Sequence, residues 1–413
     1  MKKLLVLLFA TLMCGAMAAQ STPKMPRHLY VAGQADGGKT KVYNCNTKEV
    51  KYVNGHLCNI GVDNNGNVYI LVCSDYRGWG NYYVYKNFDD KNPYLSFVWN
   101  QQEGIYSSMA MKVKGNNVIV AGVQSLGFND KGYQSRMFGY LNGKRIFMTG
   151  YDRKSLKYEN FRGHLKIVGS GLDARLTTYS ENFSYNPQCD YLSCVYRVSD
   201  VDYYGGAIYT TGWGEREYSD NIMSNKYYLV RRCPRVWKNG AEIIAQYENK
   251  TGAAWHINVL QKDGIEYIFT SGHKGSLGYA WEHSTEQYSD ISATYPGFRK
   301  EATFYVGSNE NGHIFCRVFL AQKKAGQVLE CGAVIQNGKK LYSWGGSVDN
   351  SFDLVAVSNG FYKLTRLPNE DLIIHYQKKY VFDGRYYRYL ESDDITVPAG
   401  IIDGREPMLA VAE

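Results

Sequence analysis

The feature that most constrains the fold of this chain is a two-strand pattern that recurs about every 50 residues. Each copy has an apolar segment, a polar turn that contains Gly, and a second segment rich in Val, Ile and Tyr. Such short alternating runs around a turn are typical of antiparallel strands. The clearest copies are CNIGVDNNGNVYILVC (58–73), MAMKVKGNNVIVAG (109–122), VSDVDYYGGAIYTTG (198–212), INVLQKDGIEYIFTSG (257–272) and ATFYVGSNENGHIFCRVF (302–319).

A second marker falls between these copies and predicts a second hairpin in each unit. Strand-like segments end in Asn-Gly or Asp-Gly, dipeptides that favour the tight turns of β-hairpins. They occur at Asn54, Asn142, Asn239, Asn337 and Asp383. Two hairpins in about 50 residues give four strands, which is the size of a propeller blade.

The number of copies predicts an all-β fold made of a single β-propeller with seven or eight four-stranded blades. Weaker copies start at Phe161 and Leu367, and LYVAG (29–33) matches only the second strand of a unit. Counting every copy gives eight blades, and omitting the copy at Phe161 gives seven. Because LYVAG lacks an inner partner, we expect the C-terminal segment to supply that strand and remove two free sheet edges.

These repeats resemble uncharacterised secreted bacterial β-propeller proteins over the whole mature chain. The resemblance rests on DNNGNVYILV (63–72), on VYVAG-type strands such as LYVAG, and on turns of the type WKNG (237–240). GGAIYTTG (205–212) is also faintly similar to a kelch strand. The resemblance concerns the repeat pattern, so it implies a fold and transfers no functional residue.

The N-terminus has the layout of a secretory signal peptide. Lys2 and Lys3 precede an apolar run, and Ala16-Met17-Ala18 offers the small residues that a signal peptidase reads. We expect cleavage after residue 18 or 19, so that 1–19 is a signal peptide and 20–413 is the propeller domain. The alternatives are a membrane anchor, for which the run is short, and a lipoprotein attached at Cys14. The predicted location is secreted or periplasmic, with no membrane span.

Charge and cysteine content bear on three features, namely nucleic-acid binding, a zinc ribbon and disulfides. The net charge of +8 is spread along the chain, and without a basic stripe we expect no nucleic-acid partner. The chain has no CxxC pair, so a zinc ribbon is not indicated. Cys58 and Cys73 lie symmetrically about Asn65-Gly66, which leaves a disulfide open; the pairs Cys189/Cys194 and Cys316/Cys331 are further options.

The order of connections predicts the binding face. In a four-stranded blade the first and third connections lie on one face, and here they are short turns. The second connections and the links between blades lie on the opposite face, and we expect them to form long loops there. The candidate ligand-binding residues on these loops are Tyr76, Trp79, Phe128, Arg175, Trp213, Glu215, Trp255 and His273.

Each of these residues also has a purely structural interpretation. Trp213 and Trp255 are also typical of packing between blades, and Trp237 is expected to pack. Glu215 and Glu217 could serve as acid and base, but alternating carboxylates are usually solvated. His256 and His273 lack metal-ligand spacing, and the turn at Asp63 lacks the closing acidic ligand of a calcium loop. The sequence therefore indicates no metal, no cofactor and no catalytic signature.

Three function classes remain open on this basis. The first is a secreted binding or interaction module, expected to be monomeric, whose ligand is a carbohydrate or a peptide. The second is a carbohydrate-active enzyme that uses carboxylates at the channel mouth. The third is a structural or assembly component of the cell envelope. Aromatic loops without visible chemistry favour the first class over an enzyme.

Overall fold

A computed structural model gives the fold of this chain. It describes residues 25–75, 80–100, 104–129, 132–150, 152–153, 164–168, 175–179, 196–222, 225–245, 252–262, 265–274, 277–282, 287–289, 298–299, 307–308, 314–322, 328–336, 339–345, 350–357, 360–367, 371–378, 381–382, 387–388, 394–402 and 407–412. The proposed signal peptide lies outside these residues. In the described part, no helix is long and apolar enough to cross a membrane.

The described residues form strands almost throughout, apart from a short 3-10 turn at Asp36–Gly38. In the first half they are β1 (His28–Ala35), β2 (Lys39–Asn44), β3 (Val50–Asn54), β4 (His56–Val62), β5 (Val68–Cys73), β6 (Tyr82–Lys86), β7 (Leu95–Phe97), β8 (Ile105–Lys114), β9 (Asn117–Asn129), β10 (Gly132–Leu141), β11 (Lys144–Met148), β12 (Asp152–Arg153), β13 (His164–Val168), β14 (Arg175–Tyr179), β15 (Tyr196–Tyr204), β16 (Ala207–Ile222) and β17 (Asn225–Lys238).

The second half continues the same pattern. It contains β18 (Ala241–Ala245), β19 (Gly252–Lys262), β20 (Ile265–Lys274), β21 (Leu277–Glu282), β22 (Gln287–Ser289), β23 (Phe298–Arg299), β24 (Gly307–Ser308), β25 (Ile314–Gln322), β26 (Val328–Gln336), β27 (Lys339–Gly345), β28 (Asn350–Val357), β29 (Gly360–Arg366), β30 (Leu372–Lys378), β31 (Val381–Phe382), β32 (Tyr387–Arg388), β33 (Ile395–Val397) and β34 (Met408–Ala412).

These strands form a β-propeller with seven blades among the described residues. Blade 1 is β34-β1-β2-β3, blade 2 is β4 to β7, blade 3 is β8 to β11, blade 4 is β15 to β18, and blade 5 is β19 to β22. Blade 6 is β25-β26-β27 with β23 and β24 on one edge, and blade 7 is β28-β29-β30-β33. The inner strands contact one another in the order β34, β4, β8, β15, β19, β24, β28 and back to β34.

The unit at Phe161 adds no eighth blade among the described residues. Its described part is a two-stranded hairpin, β13-β14, and blade 3 contacts blade 4 directly through β8 and β15. The hairpin lies against β17 instead of entering the ring. A second small hairpin, β31-β32, is likewise an addition to the seven sheets.

The ring closes through the C-terminal strand, as the incomplete first repeat predicts. β34 pairs antiparallel with β1, from His28 opposite Ala412 to Ala32 opposite Met408. The preceding blade joins this strand through Asp353, whose Oδ2 accepts a hydrogen bond of 2.7 Å from the Leu409 amide. The first and last blades are therefore held together by backbone and side-chain bonds.

The hydrophobic core lies between the blades rather than within one central cluster. Between blades 3 and 4, for example, Ala121 and Val123 pack with Val201 and Ile208 from the facing sheet. Trp237 belongs to the same cluster and is buried, which confirms its predicted packing role. Because blades 1 to 4 bury apolar side chains against both of their neighbours, opening one of these junctions exposes two apolar surfaces.

The second connections differ from the predicted long loops in three blades. β9 joins β10 across residues 130–131, β16 joins β17 across 223–224, and β20 joins β21 across 275–276. The strands themselves continue outward: β15 pairs with β16 only as far as Gly214, while β16 pairs with β17 up to Ile222. This extension reaches about 25 Å at the usual strand rise. In these three blades, extended paired strands thus take the place of the predicted irregular loops.

The Asn-Gly prediction is confirmed at two turns and wrong at one. Asn142-Gly143 and Asn239-Gly240 have positive φ at both residues, the conformation of the primed hairpin turns. Asn54-Gly55 instead links β3 to β4 and so connects two blades. The turns at Asn337 and Asp383 lie outside the described residues.

The asparagine side chains at these turns have a role beyond tolerating positive φ. Asn142 Oδ1 accepts a 2.8 Å hydrogen bond from the Val118 amide, and its own amide donates to the Val118 carbonyl at 2.9 Å. Asn239 makes the same two bonds to Ile208, and Asn87 makes them to Val68. Each asparagine therefore pairs with the first residues of the second strand, whose backbone groups would otherwise lack partners.

In blades 4 and 5, a bulge near the start of the first strand explains why the second strand has glycine opposite it, at Gly212 and Gly272. The register shifts at Ser199 in β15 and at Trp255 in β19. A Cβ at Gly212 would overlap the Arg197 carbonyl oxygen, and one at Gly272 would overlap that of Ala253. The bulge brings the two backbones closer than a side chain allows.

A bulge of the same kind in β4 moves Cys58 out of register with Cys73, and the disulfide that the sequence leaves open is not formed. Cys58 is the bulge residue of β4, and Cys73 pairs with His56 instead. Both thiols are free. Burial raises the pKa of the Cys58 thiol to about 12, and the nearby Cys73 adds to the rise. The sequence places Cys58 and Cys73 at equal distances from Asn65-Gly66, but this does not make them opposite each other. The turn between β4 and β5 spans five residues, and β4 carries one extra residue at the bulge.

Replacing Gly212 by Ala is expected to destabilise the protein by about 1–3 kcal/mol, because the new methyl group overlaps backbone that cannot move freely. Urea unfolding measures the change. Gly150→Ala is the control, since nothing lies within 4 Å of its added Cβ. Equal stabilities of the two variants would contradict the close backbone approach at the bulge.

Asn142→Gly is expected to cost about 1 kcal/mol of unfolding free energy, since glycine keeps the positive φ but leaves the Val118 amide without its acceptor. Asn142→Asp, which retains an acceptor oxygen, is expected to lose less. The midpoints of thermal unfolding compare the two. A glycine variant as stable as the parent would show that the side-chain bond is dispensable.

Candidate functional site

The eight predicted ligand-binding residues are only partly described. Tyr76 and Trp79 lie outside the described residues. Phe128, Arg175, Glu215 and His273 are described by their backbone alone, and they lie in β9, β14, β16 and β20. Their predicted placement in loops is wrong, because the hairpins extend through these positions as paired strands. That the eight residues share one binding surface stays a prediction.

Trp213 and Trp255, the two candidate residues whose side chains are described, differ in exposure. Trp213 is only 6% exposed and lies opposite Arg197 in the β15–β16 pair, which favours a packing role. Trp255 occupies the bulge of β19 and is half-buried. Trp213 is thus part of the blade rather than a surface platform.

A charged network joins the inner strands of blades 3, 4 and 5, and the sequence interpretation missed it. Lys114 Nζ donates to Asp202 Oδ1 at 3.1 Å, to the Tyr203 carbonyl at 3.2 Å and to the Val259 carbonyl at 2.9 Å. Lys112 Nζ donates to the Ile257 carbonyl at 3.0 Å. The two lysines of β8 therefore reach across β15 to β19.

Two carboxylates of β15 complete this network from the neighbouring blade. Asp200 Oδ2 accepts the Ile257 amide at 3.0 Å, and Asp202 Oδ2 accepts the Val259 amide at 2.6 Å. Both the amides and the carbonyls of Ile257 and Val259 are thus bonded to charged side chains. In the described part of the chain no strand pairs with the inner edge of β19, and these side chains satisfy it at Ile257 and Val259.

The electrostatics agree with a structural role for these groups. Burial raises the pKa of the Asp200 carboxyl, but Lys112, His256 and the Ile257 amide outweigh burial and leave this pKa below its usual value. Burial lowers the pKa of Lys114, and Asp202 opposes this shift. His256 Nδ1 lies 3.7 Å from Asp200 Oδ2. Ionised carboxylates held by several donors serve poorly as proton donors.

The face of the second connections offers a different surface at the junction of blades 2 and 3. Trp99 lies in the link between β7 and β8 and is 51% exposed, and the adjacent Val98 is also exposed. The Trp99 amide donates to Asn81 Oδ1 at 2.8 Å, which fixes the backbone that carries the indole. Gly80 forms a bridge with Tyr106, so this link is tied to blade 3.

A polar pair lies next to this link within blade 3. Arg136 Nε donates to Gln124 Oε1 at 2.6 Å. Gln124 is fully buried, and its Nε2 has no hydrogen-bond partner. Gln124 pairs with Tyr106 on one side and with Arg136 on the other. The order across the junction is therefore Trp99, Gly80–Asn81, Tyr106, Gln124, Arg136.

Buried aromatic rings support this junction from below. Phe97 lies 5.6 Å from Tyr106 and 5.4 Å from both Phe138 and Tyr140, measured between ring centroids. Tyr106 and Phe138 also meet edge to face at 5.5 Å. Such rings hold the polar pair and the Trp99 link on a rigid base. Sequence reasoning missed Trp99 because it lies in a short link between blades.

Metal binding is not indicated by the described side chains. They contain no cluster of three or more His, Cys, Asp or Glu suited to a metal. The Asp63 carboxylate accepts the amides of Asn65 and Asn67 at 2.9 and 2.8 Å and the Asn67 Nδ2 at 2.8 Å. Asp63 therefore stabilises its own turn.

Neither a family model nor a curated protein matches this sequence. Among solved structures the chain is similar to the dihydro-heme d1 dehydrogenase NirN, with 8% identity over 95% of this chain and 78% of that chain and a TM-score of 0.42. It is also similar to the WD40 domain of SCAP from fission yeast (10% identity, 91% and 89% coverage, TM-score 0.31) and to an endo-arabinase from Bacteroides thetaiotaomicron (11%, 72% and 95%, 0.28). Likenesses this distant carry no argument about activity or ligand.

The Asp200 carboxyl makes the propeller acid-sensitive. Its folded-state pKa lies below the unfolded value, so its contribution to stability is present above about pH 4 and is lost as the pH falls through the folded pKa. Asp200→Asn is expected to lower the unfolding free energy at pH 7 and to flatten its decline as the pH falls below about 4. Denaturant unfolding over this pH range provides the measurement.

Asp36→Asn serves as the control for this titration, because Asp36 is an exposed carboxylate in the 3-10 turn. It is expected to leave the stability at pH 7 unchanged. If Asp200→Asn behaved in the same way, the carboxylate would not stabilise the inner edge of β19.

Proposed function

We propose that this β-propeller is a binding module whose ligand contacts the face of the second connections rather than the channel. The observation that carries the proposal is the contrast between two surfaces. Lys112, Lys114, Asp200 and Asp202 in the channel are bonded to one another and to backbone, whereas Trp99 presents half of its surface to solvent.

The proposed ligand is a carbohydrate or a peptide. An indole on a fixed backbone stacks on sugar rings or on apolar side chains at little entropic cost. Tyr76 and Trp79 belong to the connection between β5 and β6, directly before Gly80 and Asn81. We therefore propose that these predicted residues join Trp99 in one binding surface at blades 2 and 3.

An enzymatic role is the second class, and the channel offers it little support. A glycoside hydrolase needs one carboxyl that gives up a proton and another that stays ionised and reactive. Asp200 and Asp202 lie two residues apart on β15, but both accept backbone amides. Asp202 also pairs with Lys112 and Lys114, and Asp200 lies beside His256 and within the electrostatic influence of Lys112. Their oxygens are occupied by interactions that hold the blades together.

An assembly role would be favoured by a large apolar patch on the rim. Among the described side chains of the outer strands, the exposed apolar ones are instead distributed over several blades, at Tyr52 in β3, Ile146 in β11 and Ile243 in β18. We propose a monomer, secreted or periplasmic, on the strength of the N-terminal sequence and the repeat pattern.

Trp99→Ala is expected to weaken ligand binding by at least about tenfold and to leave the melting temperature unchanged, because its indole contributes contact area to the ligand rather than to the core. Glycan and peptide arrays identify a ligand, and titration calorimetry measures its affinity. Tyr52→Ala is the matched control, since Tyr52 is 52% exposed on the outer strand of blade 1.

Two results would contradict the proposal. One is a ligand whose affinity falls with Lys112→Met in the channel and not with Trp99→Ala, which would move the site to the channel. The other is the absence of any binding to glycans and peptides by the folded protein.

A further inference from the structure

The outer strand of each blade has one edge that no strand pairs with in the described part of the chain. Such an edge presents unpaired amides and carbonyls, to which the strand of another molecule can add. Three of the outer strands, β7, β22 and β33, have only three residues each and so offer very few of these groups. The longer outer strands are β3, β11, β18 and β27, and their edges need another form of protection.

The first of these longer strands, β3, is flanked by a connection of the next blade. Lys51 Nζ lies 4.9 Å from the centre of the Phe88 ring, and Asn54 Nδ2 donates to Asp90 Oδ2 at 2.6 Å. Phe88 and Asp90 belong to the connection between β6 and β7. This connection limits the access of another molecule to β3.

The other three longer strands share a β-bulge at the same position after the turn. The register shifts by one residue, and the extra residue is Ile146 in β11, Ile243 in β18 and Leu341 in β27. Each is the fifth residue of a segment that begins with Asn-Gly. The three segments are NGKRI (142–146), NGAEI (239–243) and NGKKL (337–341). The described ladders of β3, β7, β22 and β33 have no such shift.

The bulges of blades 3 and 4 lie on the solvent-exposed rim. Ile146 is 40% exposed and Ile243 is 43% exposed. The residues before them in each strand, Lys144 and Arg145 in β11 and Ala241 and Glu242 in β18, are exposed as well. Burial of the extra side chain therefore does not account for the bulge, and its effect on the backbone remains as the explanation.

Packing next to the bulge explains it in one blade only. In blade 3, Phe147 pairs with Gly139, and its ring occupies the space that a Cβ of this glycine would need. In blade 4 the corresponding pair is Ile244 with Val236, and in blade 6 it is Tyr342 with Val334. The packed pair differs in each blade whereas the bulge is the same, so the bulge has a purpose common to the three edges.

We infer that the bulges of β11, β18 and β27 prevent the propeller from pairing edge to edge with a second copy of this chain. An extra residue disrupts the even spacing of the amides and carbonyls that an incoming strand needs. Lys144 and Arg145 add repulsion between like charges at β11, while β18 depends on its bulge. The rim is thus a self-association surface that backbone geometry keeps closed, a property separate from ligand binding.

Deletion of Ile146, or separately of Ile243, tests this inference because it restores a regular ladder. Sedimentation velocity is expected to show a monomer for the parent chain and a dimer that increases with concentration for each deletion variant. Amide exchange followed by mass spectrometry locates the contact. The amides of β11 or β18 are expected to exchange more slowly as the concentration of the respective variant rises.

Two kinds of control separate the bulge from other effects. Ile146→Ala and Ile243→Ala keep the extra residue and remove its apolar side chain, so these variants are expected to remain monomeric. Deletion of Gly150 shortens the chain by one residue after β11, where nothing lies within 4 Å of an added Cβ, and it is also expected to leave a monomer. Association of any of these controls would overturn the inference.

A variant without a deletion keeps the inference testable if the shortened chains do not fold. Lys144→Thr combined with Arg145→Thr removes the charges of β11 and retains its bulge, so the protein is expected to stay monomeric. Dimers of this variant would show that charge, and not the bulge, closes the edge.

Three further results would also overturn the inference. One is a folded deletion variant that remains monomeric at every concentration, since the bulge would then serve packing alone. Another is a dimer of a deletion variant in which β11 and β18 exchange as fast as in the monomer. The third is a parent chain that already forms dimers through these strands. None of them bears on ligand binding at Trp99, which the Trp99→Ala variant tests separately.

Discussion

The join between the first and last blades is the constraint on which the rest of this structure depends. A propeller buries its blades only if the ring is closed, because an open ring leaves two apolar faces and two sheet edges in water. Here β34 closes it by pairing with β1, and Asp353 ties blade 7 to the Leu409 amide. Asp200 does the same for blades 4 and 5 through Ile257. Carboxylates on inner strands thus serve as links between blades.

Because charged side chains on the inner strands hold the blades together, we expect ligand binding elsewhere on the propeller. Inner strands in a propeller have one edge without a strand partner, and this chain satisfies the edge of β19 with Lys112, Lys114, Asp200 and Asp202. Side chains bonded in this way are not free to bind ligands or to exchange protons. The junction of blades 2 and 3 differs, because there the Trp99 side chain is exposed to solvent and the Phe97 and Tyr106 rings pack beneath it. Under the proposed function, stability and binding would occupy different parts of the same scaffold.

Much of the fold could be predicted from the sequence, and the limits have physical causes. The two-hairpin period, the closing strand and the turns at Asn142 and Asn239 follow from local patterns that repeat. The turn at Asn87 was not predicted, because Phe88 and not glycine adopts the positive φ at its second position. The bulge at Cys58 and the long hairpins depend on cross-strand packing, which alternation alone does not report. Trp99 and the channel network were not predicted, because the contacts that define them are made with residues of other blades.

Hydrogen exchange of the C-terminal strand tests the closed ring most directly. The measurement compares backbone amide exchange, followed by mass spectrometry, in peptides covering β34 and in peptides covering β4, an inner strand from the interior of the chain. The closed ring predicts that β34 exchanges as slowly as β4, since its amides bond to β1 and to Asp353. Rapid exchange of β34, as in an unpaired tail, beside slow exchange of β4 would contradict the account.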